Sequence, residues 1–368
     1  MPSSTCPFHR HFALDELLPA GEVWLNTAHQ GALPRVAAEA ARTAVEWKLD
    51  PRQLTSERFV EVPRRVRAAA ARLLGADLDD VVLTNGSSYG LHLLANGLPL
   101  RSGDEVLLQR GDFPSNLLPW LGLRERGVEV RLVEPRSGPV LEPEEVSAAL
   151  SARTRVVCLS WVHSFSGWTT DLASIGKACR ANGTWLVVNA TQGIGTRPFD
   201  VATLPVDAVV CSGWKWLCGP YGTGFAWLRP ELREALQYNQ RYWLSMQTAD
   251  ELGARDDDPE RRDPRALGAR RYDLFGTANF FNFAPFAASL ELLLELGVDA
   301  IAAHDRALVA RLTDGQERLG YALISPRDPR RASSLVVLVP PAPTTVEAAY
   351  AQLTARGIHG ALRRGAIR

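Results

Sequence analysis

Between residues 80 and 230 short apolar runs rich in β-branched residues alternate with amphipathic stretches, and this alternation leaves few folds open. A strand that is apolar along its whole length must be covered on both faces, and a helix following each strand supplies the cover. The pattern predicts an α/β fold with a mixed, mostly parallel sheet flanked by helices. Runs at 80–84, 105–109, 128–133, 155–161, 185–189, 208–211 and 224–228 read as strands. Apolar residues recur every three or four positions at 88–98, 143–152 and 172–181, which read as helices. Residues 212–223 are too few and too weakly patterned for a crossover helix, so the last two runs are expected to pair antiparallel.

Helical periodicity returns at 285–297 and 298–320, followed by strand patterns at 321–324 and 334–339 and a helix at 345–356. This tail reads as a smaller α+β domain. The expected division is an arm at 1–30 serving the small domain and a pocket, a large domain at 31–284 and the small domain at 285–368. The charged, proline-containing segment 250–271 is expected to be an exposed loop.

Charge excludes several classes of partner. Lys plus Arg and Asp plus Glu each total 41, so there is no electrostatic footprint for nucleic acid or an anionic membrane. No uncharged run approaches the roughly 20 apolar residues that span a bilayer. The five cysteines are scattered, without CxxC spacing and without a secretory leader ahead of them, which points to a reducing cytoplasm. No histidine or cysteine spacing fits a metal site.

Lysine is scarce: Lys48, Lys177 and Lys215 stand against 38 arginines. Lys215 follows a buried strand and is flanked by Trp214 and Trp216. Two readings stay open for it: a desolvated amine with a lowered pKa that attacks carbonyls, or a stem lying on the indoles with its head in water. In LTNGSSYG (83–90) a strand end turns through Ser87 and Ser88 into a helix, whose free N–H groups make an anion cradle or simply a serine cap. In GDFPSN (111–116) Phe113 follows another strand, placed to stack on a planar ring or to serve the core. In such sheets ligands bind beyond the carboxyl ends of the strands, where all three segments lie.

Together these segments resemble the class V aminotransferase family of fold-type I, pyridoxal 5'-phosphate (PLP) dependent enzymes, which includes cysteine desulfurases, kynureninases and isopenicillin N epimerase-like proteins. The closest correspondence is SGWKWLCGPYGTGF (212–225). The resemblance implies that Lys215 holds PLP as a Schiff base and that Ser87, Ser88 and Ser212 bind its phosphate. It further implies that Phe113 stacks on the ring and Gln192 donates to the 3-oxygen. FGTANF (275–280) resembles a segment reaching the neighbouring subunit's phosphate, which gives Thr277 a role across a homodimer. WLNTAHQGALP (24–34), with His29, resembles the pocket border. LRRGAIR (362–368) resembles the stretch supplying the substrate's carboxylate anchor, Arg368, with Arg363 and Arg364 as alternatives. His163 is a further candidate for substrate contact or acid–base work; His92 reads as structural.

Two departures from the family pattern bear on chemistry. Where the family has aspartate against the pyridine nitrogen, this chain has Asn189, in NATQ (189–192). Losing an opposite charge lowers the pyridinium pKa by about 1–3 units and weakens the electron sink. Family members also continue beyond the position of Arg368, and a terminus here sets a competing carboxylate beside that arginine. Cys218 is the last cysteine, which disfavours desulfuration through a loop thiol. The expected activity is a C–S lyase working by β-elimination, or an epimerase, on an amino-acid-derived substrate of specialised metabolism. A class V aminotransferase, which fits Asn189 least well, and a non-catalytic homologue binding PLP or a carboxylate ligand are the alternatives.

Overall fold

The structure, a computed structural model, describes residues 6–246 and 263–368. A short helix α1 (Leu14–Leu17) and strand β1 (Val23–Trp24) precede two long helices, α2 (Arg35–Leu49) and α3 (Ser56–Leu74). The sequence reading left both long helices unassigned, although Val62, Val66, Ala70 and Leu74 are buried at helical spacing along α3. Gly75, at φ 64°, ends α3 in the left-handed conformation that only glycine adopts freely.

The alternating region follows as β2 (Val81–Thr84), α4 (Ser87–Gly97), β3 (Glu105–Gln109), α5 (Pro114–Leu121), β4 (Glu129–Val133) and α6 (Pro143–Ala149). It continues through β5 (Thr154–Ser160), α7 (Leu172–Ala181), β6 (Trp185–Asn189), β7 (Ala208–Ser212) and β8 (Gly224–Leu228). All seven predicted strands form. They make one sheet in the order β2-β8-β7-β6-β5-β3-β4, parallel except at β8, which runs antiparallel to both neighbours as the short link required. Helix α6 stops at residue 149 rather than 152, because Leu150 turns extended and the Ser151 N–H is taken by the Thr154 hydroxyl.

Successive residues of each strand enter opposite cores. Leu83, Leu107, Leu159, Val188 and Phe225 pack with α3, α7 and α10 (Phe280–Leu296). Val82, Val106, Cys158, Val187 and Ala226 pack with α4 and α5. Helix α10 begins at Phe280, five residues ahead of the domain boundary drawn at 285, and packs on α2 and α3; Pro285 lies inside it.

Between these lie α8 (Pro230–Ala235) and α9 (Trp243–Met246). Residues 250–262 of the expected exposed loop fall outside the described residues. Its remainder corrects the expectation: Pro264–Tyr272 forms 3-10 turns that bury Ala269, Arg271 and Tyr272. The Tyr272 hydroxyl reaches the carbonyls of Arg233 and Leu236, and Arg271 also binds the Arg233 carbonyl.

The C-terminal region comprises α11 (Val298–Arg318), β9 (Ala322–Leu323), β10 (Leu338–Val339), α12 (Val346–Ala355), β11 (Ile358–His359), β12 (Leu362–Arg363) and β13 (Ala366–Ile367). β12, β13, β10 and β9 form a small antiparallel sheet. The strand expected at 334–339 is ladder only at its last two residues, since the Val337 N–H goes to the Ser325 hydroxyl. β1 pairs in parallel with β11, bringing the N-terminal segment to the C-terminal one. Among the described residues no helix is long and apolar enough to cross a membrane.

Candidate active site at the strand ends

Beyond Ser212 the chain turns sharply, with Gly213 and Gly219 joined by a backbone hydrogen bond of 2.8 Å, and presents Lys215 over the sheet edge. The N-terminal segment crosses directly above: the Gly31 N–H donates to the Trp214 carbonyl at 2.8 Å, and a Cβ at position 31 would overlap the Lys215 carbonyl oxygen. Only glycine permits this approach. The Lys215 ammonium lies 5.3 Å from the centre of the Phe113 ring. Burial, reinforced by Arg368 and Arg363, pushes its pKa down to about 8. The structure corrects the reading of an amine held between indoles: Trp214 packs on Tyr221 at 4.4 Å, and Trp216 donates to Gln192 at 2.9 Å. The aromatic ring beside the amine is Phe113, 37% exposed and stacked against Phe165.

At the start of α4, Gly86 takes φ 148° and lies against the Trp214 ring, where a side chain would collide. The Ser87 N–H donates to the Ser212 hydroxyl at 3.0 Å, and that hydroxyl donates to the Ser87 oxygen at 3.1 Å. The Ser87 hydroxyl hydrogen is thereby left to point at a ligand. Ser88 is exposed on the same first turn, whose orphan N–H groups and dipole favour an anion. Thr277 is buried in its own chain, in the turn before α10, and makes no hydrogen bond to this cradle. His92 is exposed on α4, away from the pocket-lining turn.

Asn189 ends β6 in a buried hydrogen-bonded chain. Its Nδ2 donates to Asn116 Oδ1 at 2.7 Å, and Asn116 Nδ2 donates to Asp112 Oδ2 at 2.9 Å. Asp112 also accepts from the Phe113 N–H, the Ser160 N–H and the Ser160 hydroxyl. A carboxylate only accepts, so Asp112 fixes the orientation of Asn116, which in turn obliges residue 189 to present a donor. The amide at 189 is therefore built into the network. Sequence reasoning missed Asp112, Asn116 and Ser160; the available signal was an acidic residue at a strand end just ahead of the proline that starts α5.

Gln192 accepts from the Trp216 indole and donates to the Ala28 carbonyl at 3.1 Å, which orients its amide and leaves its second N–H for a ligand acceptor. His163 is buried, with Nδ1 at 2.8 Å from the Ser166 hydroxyl and Nε2 at 3.3 Å from the Gly111 carbonyl. Burial lowers its pKa, so it braces the loop as a neutral ring with both nitrogens engaged. His29 is exposed at the rim, its pKa lowered first by burial and then by Arg363, Lys215 and Arg368. Arg368 donates to the Ser164 carbonyl at 3.1 Å, while its Nε is buried without a partner. Burial and Arg363 push its pKa down to about 10.

These groups suit PLP. A helix start with two hydroxyls offers donors to a phosphate, a partly exposed aromatic ring lies beside an amine, and Gln192 offers a further donor. The class so defined is a fold-type I, PLP-dependent enzyme.

Residues 52–360 match the family described as aminotransferase class-V, and the chain belongs to that family. It is 30% identical over 250 residues to a protein named "Probable cysteine desulfurase" from Methanothermobacter thermautotrophicus, a match covering 68% of this chain and 60% of the relative. It is 29% identical over 344 residues to isopenicillin N epimerase of Streptomyces clavuligerus, covering 90% of this chain and 84% of the relative. Among solved structures, a lysine-to-alanine mutant of C-DES with glycine covalently linked to its PLP cofactor aligns with a TM-score of 0.86 at 20% identity, covering 99% of this chain and 94% of that one. The cystine C–S lyase C-DES, in complex with its product cysteine persulfide, aligns with a TM-score of 0.83 at 21% identity, covering 95% and 92%. Likeness at these identities establishes the fold.

Proposed function

We propose that this enzyme acts at Cα and Cβ of an amino-acid-derived substrate, as a C–S lyase working by β-elimination. The observation that carries the reading is the Lys215 amine, 5.3 Å from the Phe113 ring and depressed to about 8 by burial and by Arg368. Near neutral pH a useful fraction of that amine is unprotonated, as a general base requires. PLP, when bound, supplies the electron sink that acidifies the Cα hydrogen. Lys215 removes that proton, the bond from Cβ to sulfur breaks, and the sulfur leaves with the bonding pair. Ser87, Ser88 and Ser212 hold the phosphate, Gln192 donates to the ring oxygen, and Phe113 fixes the ring plane. Arg368 orients the substrate carboxylate.

Three observations support elimination over desulfuration. No cysteine follows Cys218, and Cys218 itself is buried, its thiol pushed up to about 12. Asn189 offers no charge to the ring nitrogen, which suits chemistry needing modest electron withdrawal. C-DES, similar in fold, is a cystine C–S lyase by its own description. Epimerisation is the second reading, favoured by the epimerase relative that matches most of the chain.

The test has a spectroscopic and a chemical part. PLP added to the apo-protein should give a visible absorption band that Lys215→Ala abolishes; a colourless protein under excess PLP would leave the non-catalytic alternative. Cystine or cysteine conjugates should then release pyruvate and ammonia. Solvent deuterium entering Cα without keto product would select epimerisation.

A homodimer belongs to the same proposal. Tyr221, Phe275 and Phe281 are exposed on segments that flank Thr277, and Asn282 hydrogen-bonds the Tyr221 carbonyl. Such an apolar surface beside a candidate phosphate ligand fits a subunit contact. Sedimentation velocity should give twice the chain mass.

A further inference from the structure

The last eight residues form a tight hairpin. Ala361 and Arg368 exchange both backbone hydrogen bonds at 2.8 Å, Arg363 opposes Ala366, and Arg364 and Gly365 make the turn at φ 47° and 70°. Both central residues have positive φ, as in the two-residue turns that suit the twist of a hairpin. Because side chains alternate between faces, this register puts Ala361, Arg363, Ala366 and Arg368 on one face and Leu362 and Ile367 on the other. Arg363 and Arg368 are thus diagonal neighbours, sharing their face with two small, buried alanines.

The three arginines of this hairpin differ in what already holds them. Arg364 is committed, donating to the Gly111 carbonyl at 2.9 Å and lying 3.6 Å over the Phe165 ring. Arg368 makes one bond, to the Ser164 carbonyl, and keeps a buried, unpartnered Nε. Among the described residues the Arg363 side chain bonds only the carbonyl of its own neighbour Leu362. Among the described residues neither Arg363 nor Arg368 forms an ion pair. Both lie near enough to Lys215 and His29 to depress them. Two half-buried forked cations on one face, with no Asp or Glu side chain paired to either among the described residues, suit a ligand that brings two anionic groups.

We propose that the substrate is an amino acid carrying a second anionic group, carboxylate or sulfonate, on its side chain: Arg368 takes the α-carboxylate and Arg363 the distal anion. This rests on the PLP-enzyme reading and narrows its substrate class.

The test is calorimetric binding to the PLP-loaded protein, so that turnover is not the readout. L-aspartate, L-glutamate and L-cysteate are compared with L-alanine and L-serine, in the parent protein, Arg363→Gln and Arg363→Lys. The acidic amino acids should bind about tenfold or more tightly than the neutral ones, as a charged hydrogen-bonded pair contributes. Arg363→Gln should erase that preference while leaving the neutral ligands within about threefold, and Arg363→Lys should keep part of it. Cysteate against aspartate distinguishes the sulfonate from the carboxylate source. Equal binding of acidic and neutral amino acids would overturn the inference and leave the PLP reading standing, as would an equal loss for both classes in Arg363→Gln. A loss of PLP affinity alone in Arg363→Gln would assign that arginine to the cofactor and also overturn it. Absence of any PLP absorption in the parent protein would overturn both.

Discussion

Two regions around the large sheet treat buried charge in opposite ways. On the structural side, Arg67 meets Asp273 at 2.5 Å with both side chains almost fully buried, Glu105 is held by Arg131 and Arg153, and Asp207 by Arg229. Beyond the strand ends, Lys215, Arg363 and Arg368 gather with no Asp or Glu ion-paired to them among the described residues, and the nearby Asp112 is spent on hydrogen bonds. A buried pair satisfies itself and fixes the fold, whereas an unanswered cluster destabilises the empty protein and stores affinity for an anionic partner. Electrostatic completeness therefore separates scaffold from site in this molecule.

Breaking the structural side should have the largest effect. Arg67→Met strands the Asp273 carboxylate and should cost about 3–5 kcal/mol in denaturant unfolding, whereas Arg363→Gln should change stability by less than about 0.5 kcal/mol. Equal losses would erase the distinction. Asp112 tests the boundary, since its buried carboxylate accepts four hydrogen bonds. Asp112→Asn turns one acceptor into a donor facing a donor and should cost about 2–3 kcal/mol by the same measurement.

Asn189→Asp sharpens the comparison by adding a carboxylate where the network demands a donor. That carboxyl must be protonated to replace the amide, so its folded pKa is raised above the unfolded value near 4. The variant should lose about 1–3 kcal/mol above pH 7 and recover as pH falls below about 5, read as the melting-temperature difference from the parent. Its PLP-loaded form should also show more transamination side product; an unchanged rate would remove the electron-sink account of residue 189.

The smallest effect has the opposite sign. Lys215 titrates near 8 when folded and near 10.4 when unfolded, so between those values the unfolded chain holds more protons and stability rises with pH. Lys215→Met should stabilise the apo-protein by about 1–2 kcal/mol below pH 8, and the gain should fade above pH 10.

Strands were the most legible part of the sequence because most are apolar on both faces and end in a polar or glycine-rich turn, although edge strand β4 exposes Glu129. The antiparallel β8 followed from link length alone. The small domain was less legible: its strands are two residues long, and hydroxyls such as Ser325 replace ladder partners that no hydrophobic period records. In the site, Lys215 stood out through the rarity of lysine, and Ser87, Phe113 and Gln192 through the family's motif. Asp112 and Asn116 left only a faint trace, an acidic residue just ahead of the α5 proline, because their importance lies in who donates to whom across three strand ends. Trp214 and Trp216 misled for a related reason: adjacency in sequence says nothing about where each indole points.

The parallel pairing of β1 with β11 has a consequence for biosynthesis. Val23 and Trp24 must wait for Ile358 and His359, more than three hundred residues later, before their strand is paired, whereas the rim bearing His29 is already held by the bonds of Gly31 to Trp214 and of Gln192 to Ala28. The sheet and its cradle have every neighbour they need while the ribosome is still working, but the pairing of the two chain ends comes last. A nascent chain of this protein is expected to acquire its catalytic floor before its selectivity.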